Sequence, residues 1–60
     1  MMNREAILTK IKILDNNRDS LIHYARMKID QEDWHAVADA MMDLRELDAK
    51  LQTLRERENE

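Results

Sequence analysis

Neither glycine nor proline occurs in the 60 residues of this chain. Without them it lacks the glycine that the tight turns of β-hairpins most often use, and the proline that breaks a helix from within. The other residue types agree. The apolar fraction, 43%, is mostly Leu, Ile, Ala and Met, and Tyr24 and Trp34 are the sole aromatics. Ala, Leu, Met, Lys, Arg and Glu lose little rotamer freedom in a helix, whereas sheets favour aromatic and β-branched residues. An all-α fold is expected, in one small domain, and all-β and α/β folds are excluded.

Helical periodicity runs on both sides of one short segment. Ile7, Ile11, Leu14, Leu21, Ala25 and Lys28 or Ile29 recur at three-and-four spacing, as do Val37, Ala40, Met41, Leu44, Leu47, Leu51 and Leu54. Between them, Ile29-Asp30-Gln31-Glu32-Asp33-Trp34 reads as a helix start. Asp30 is placed as N-cap and Asp33 at N3, in the manner of a capping box. Ile29 and Trp34 are spaced for a hydrophobic staple, with Glu32 and Asp33 at the positive end of the helix dipole. The expected elements are a first helix over about 3–28, a turn at about 28–30 and a second helix over about 31–56, each helix about 40 Å long. So short a connection folds the helices back as an antiparallel hairpin. Asp15-Asn16-Asn17 either interrupts the first helix, with Asn17 as a new N-cap, or forms a solvated patch on a continuous one. The tail Arg55–Glu60 has no apolar anchor and is expected to fray.

Several function classes fall away on composition. With no cysteine there is neither a disulfide framework nor a thiolate metal site, so a cytoplasmic setting is expected. No run of 18 apolar residues is present, and Asn3, Arg4 and Glu5 stand where a signal peptide would be apolar. No membrane partner is expected. Thirteen acids against ten bases, interspersed to a net charge of −3, leave no footprint for duplex nucleic acid. No cofactor is expected. A glycine-free chain has no phosphate loop, and no nucleophile–base pair follows from spacing, so an enzyme is not expected.

Projected around the second helix, its apolar residues span an arc of about 200°, wider than one partner helix covers. Ile13, Tyr24 and Met27 likewise lie off the main stripe of the first helix. The expected molecule is therefore a hairpin assembling into a homo-oligomeric helical bundle.

Three groups of polar residues are candidates for function. Arg18 lies in the apolar stripe between Leu14 and Leu21, either as a register device paired with a carboxylate such as Asp48 or as an inward cation for an anionic ligand. Asp15, Asp19 and His23 recur at i, i+4, i+8 in the first helix, and His35, Asp39 and Asp43 in the second. Level with each other in a hairpin, they could form a bundle metal site, but the Glu-x-x-His motif of di-iron bundles is absent and solvated faces explain them better; no metal is expected. The third group gathers at the turn: Tyr24, Arg26, Lys28, Trp34, His35 and Arg45. Aromatic faces stack on bases and cations pair with phosphates, so the cluster suits a nucleotide or an acidic peptide. The plain alternative is a staple surrounded by surface charges.

The segment Tyr24-Ala25-Arg26-Met27-Lys28, with Asp33-Trp34-His35-Ala36-Val37-Ala38-Asp39-Ala40 and Asp43-Leu44-Arg45-Glu46-Leu47, resembles a pattern found in very small helical proteins of bacteriophages and prophages. The resemblance covers the middle half of the chain, from Leu21 to Leu51. It implies an anti-defence protein of the nucleotide-sponge type, an oligomer sequestering a nucleotide immune signal in the host cytoplasm. Its competitor is a protein-binding module that offers an apolar helix face to a host protein.

Overall fold

A computed structural model describes residues 3–58 and shows an all-α helical hairpin. Helix α1 spans Arg4–Asp30 and α2 spans Trp34–Glu58, and no strand occurs among the described residues. Asn3 begins α1. Its backbone is extended and its Oδ1 accepts the Ala6 N–H at 2.7 Å, satisfying one of the free donors of the first turn.

The helices meet along a heptad seam. Ile7, Ile11, Leu14, Arg18, Leu21, Ala25 and Lys28 follow alternating steps of four and three, and Val37, Ala40, Leu44, Leu47, Leu51, Leu54 and Glu58 steps of three and four. These are the a and d positions of an antiparallel coiled coil. All fourteen are buried or half-buried, and elsewhere among the described residues only Asp15, Ile22 and Ala36 are not exposed. The core is thin: Ile7, Ala25, Ala40, Leu51 and Leu54 are the buried residues. Ala25 and Ala40, at 3% and 2% exposure, stand level next to the turn, where small side chains let the backbones approach and a short connection close. Helix α1 runs unbroken through Asp15-Asn16-Asn17, which resolves that choice in favour of the continuous helix.

The turn differs from the sequence expectation. Helix α1 extends to Asp30, two residues past the expected end, and closes as a Schellman motif. The Glu32 N–H donates to Ile29 O at 2.9 Å and the Asp33 N–H to Lys28 O at 3.0 Å, with Glu32 in the left-handed region at φ 56°. The N-cap of α2 is Asp33, not Asp30: its Oδ1 accepts the Ala36 N–H at 3.2 Å, and its carbonyl takes the first helical bond, from Val37. Asp30 instead ends α1, and the second helix starts at Trp34 rather than at about 31. With the cap moved by three residues, the staple positions become Glu32 and Val37. Ile29 and Trp34 do not staple the turn and stand 45% and 62% exposed.

The expected fraying of the tail is also corrected. Helix α2 continues to Glu58, with Leu54 buried and Glu58 half-buried on the seam and Arg55 paired across the hairpin with Asp15; Asn59 and Glu60 lie outside the described residues. The result is a rod of 42 × 15 × 14 Å. Its radius of gyration, 13.9 Å, exceeds the ~10 Å of a compact domain of this length.

Candidate functional site

The two sides of the seam are chemically different. Seven-residue steps put Asp15, Ile22 and Ile29 of α1 on one flank, together with Trp34, Met41, Asp48 and Arg55 of α2. Lys10, Asn17 and Tyr24 lie on the other, with Asp43, Lys50 and Arg57. The surface grooves follow this division. One open groove is lined by Asp15, Arg18, Asp48 and Arg55, another by Asn17, Tyr24, Asp43 and Lys50.

The turn cluster is thereby divided. Tyr24 and Trp34 sit on opposite flanks, so one base cannot stack on both. Lys28 is already engaged: its Nζ lies 5.4 Å from the Tyr24 ring centroid, donates to Gln31 Oε1 at 3.2 Å and is 3.9 Å from Asp33 Oδ2. It covers an aromatic face and ties the turn to the end of α1. Asp43 and Glu46 line Tyr24's groove beside the single cation Lys50, a poor setting for a phosphate. His35 is on the outer face of α2, its side chain 90% exposed and its Nε2 3.4 Å from Asp39 Oδ2. Arg26, Arg45 and Trp34 do share a flank, but Arg45 is about 16 Å along the axis from Trp34. Both arginines are exposed and have no ion-pair partner among the described residues.

The Asp/His ladders separate in the same way. Asp15 and Asp43 fall on opposite flanks, and no group of three or more His, Cys, Asp or Glu placed to hold a metal ion occurs among the described residues. Asp15 is occupied, taking Arg55 Nη2 at 3.0 and 3.2 Å on its two oxygens.

The ionic centre of the hairpin is the Arg18–Asp48 pair. Arg18 Nε donates to Asp48 Oδ1 at 2.7 Å, the carboxylate partner the sequence suggests. That hydrogen bond, and then the charge of Asp48, raises the guanidinium pKa above its ordinary value. With Asp15–Arg55 it makes a neutral set of two cations and two anions. With no net charge the set has little pull on an anion, which favours the register role of Arg18. The spacing of Asp48 and Arg55, one heptad apart, was the sequence signal for the second bridge.

The chain matches no protein-family model, no curated protein and no solved structure. Its function must therefore be argued from surface chemistry. The most prominent feature is apolar: Leu8, Ile13, Tyr24, Met27, Ile29, Trp34, Met41 and Met42 are between 41% and 62% exposed. Among the described residues no helix is long and apolar enough to cross a membrane.

Proposed function

We propose that this chain is a non-enzymatic helical hairpin that self-associates into a bundle and acts by protein contact, offering apolar helix surface to a host protein. One observation carries the reading: among the described residues the hairpin exposes more large apolar side chains than it buries, eight against the three of its core that are larger than alanine, Ile7, Leu51 and Leu54. Apolar surface left in water is the main driving force for association. A cytoplasmic setting accords with a cysteine-free chain. If folding is tied to association, mass action makes the melting temperature rise with protein concentration. Sedimentation equilibrium with melts across a hundredfold concentration range tests this. A monomer at tens of micromolar with a concentration-independent melt overturns it.

A second reading, sequestration of a phosphate-bearing nucleotide between subunits, has the support of one observation. Arg26 and Arg45 are exposed on the flank that carries Trp34. In an oligomer, copies of these residues from different subunits would combine into the cation and aromatic set that one hairpin divides. A thermal-shift panel of cyclic and linear nucleotides tests it, and no shift from any of them removes it.

A further inference from the structure

The accessible surface of the hairpin is 4919 Å². A compact monomer of 7.2 kDa exposes about 4100 Å². The excess of ~800 Å² is the area that one partner contributes to a standard stable interface. The hairpin therefore exposes surplus surface equal to one side of a dimer contact, and its two flanks are unequal candidates for it.

On the Asp15–Arg55 flank, the positions next to the seam near the turn are all apolar. Ile22 is half-buried, and Ile29, Trp34 and Met41 are 45%, 62% and 41% exposed. The neutral Asp15–Arg55 and Arg18–Asp48 pairs follow along the same flank. The opposite flank carries Tyr24, 42% exposed, as its one large apolar residue, among Lys10, Asn17, Asp43, Lys50 and Arg57 at the equivalent positions, which would have to be desolvated on docking. Ile13 and Met27 lie further from that seam.

We infer that a second copy of this chain packs on the Ile22, Ile29, Trp34, Met41 flank, with both turns at the same end, to make a two-fold symmetric four-helix bundle. The proposal rests on the reading that the chain self-associates and adds the surface and the orientation. The matching of apolar surface with apolar surface sets the orientation. With the turns together, the apolar patch of one copy meets the same patch of the other and the paired charges meet paired charges, while the exposed Arg26 and Arg45 stay at the outer edge of the patch. With the turns opposed, each apolar patch would cover the far end of the other copy, where Leu8 is the one exposed apolar residue among Glu5, Lys12 and Arg55. All neighbouring helices then run antiparallel, as in an up-down-up-down bundle.

Adjacent methionines provide the test. Met41 lies on the inferred interface, whereas Met42, 61% exposed, points away from it. In sedimentation equilibrium on the full chain, Met41→Glu should weaken dimerisation on the order of 100-fold by burying an unpaired charge, while Met42→Glu and Ile13→Glu leave it unchanged. For orientation, the chain has no cysteine of its own, so a spin label on Asp30→Cys is unique. The label-to-label distance in the dimer should fall well short of the 42 Å rod length. This measurement stands even if Met41→Glu fails to fold. A monomeric wild type overturns self-association and this proposal with it. A dimer that tolerates Met41→Glu, or that Ile13→Glu dissociates, overturns the flank alone. A label distance near the rod length overturns the orientation.

Discussion

Arg18 Nε and Asp48 Oδ1 lie 2.7 Å apart across the hairpin, with Arg18 at a seam position between Leu14 and Leu21. A charge there excludes other registers: sliding one helix by a turn would leave the guanidinium against Leu44 or Leu51 and separate it from its carboxylate. Both side chains keep substantial solvent exposure, 40% and 55%, so the pair specifies register more than it stabilises.

Replacing Arg18 with leucine should therefore raise the melting temperature and loosen the oligomer distribution. Asp48 stays hydrated after losing its partner, and an apolar residue completes the seam. Thermal melts by circular dichroism, with mass measurement of the assembled species, check both halves; a lower melting temperature contradicts the first. The pH dependence has a definite sign. A cation whose pKa is raised by folding contributes fully below its unfolded value and loses that contribution only as pH rises through the folded one. Both values lie far above neutrality, so Arg18 should add no change in stability between about pH 7 and pH 10.

Caps at the turn separate two neighbouring aspartates. Asp33→Ala removes the acceptor of the Ala36 N–H and should cost about 1 kcal/mol, while Asp30→Ala should change stability by no more than about 0.5 kcal/mol. Equal effects in urea titrations would return the cap to Asp30.

Glu32 is the one described non-glycine residue with positive φ, at 56°. Left-handed backbone costs a residue with a Cβ about 1–2 kcal/mol, partly offset by the entropy that glycine loses on folding. Glu32→Gly should stabilise the hairpin by ~0.5–1 kcal/mol, seen as a rise of a few degrees in melting temperature.

Leu51 is the most buried large side chain, at 1% exposure. Truncation to alanine in cores costs about 2–5 kcal/mol, a large share of what so thin a core supplies. Leu51→Ala should abolish the cooperative melt at low micromolar concentration, whereas Met42→Ala, with its side chain in solvent, should leave it within about 0.5 kcal/mol of wild type.

What the sequence determined by itself is local or periodic. Two helices with a single break follow from residue propensities and from apolar spacing, because hydrogen bonds between near neighbours and one buried face suffice to specify them. The Arg18–Asp48 pair was legible for the same reason: a charge in an apolar stripe demands a partner, and hairpin geometry leaves few. The tertiary structure decided what depends on backbone closure and on rotation about each helix axis. A left-handed Glu32, with no glycine to announce it, carried α1 on to Asp30 and moved the cap to Asp33. The choice of seam residues turned Tyr24 to one flank and Trp34 to the other, dividing a cluster that is contiguous in sequence. Arg55 and Asp15, 40 residues apart, meet only because the completed hairpin brings them to the same flank, and the same closure puts Leu54 and Glu58 on the seam along a tail whose composition alone predicts fraying.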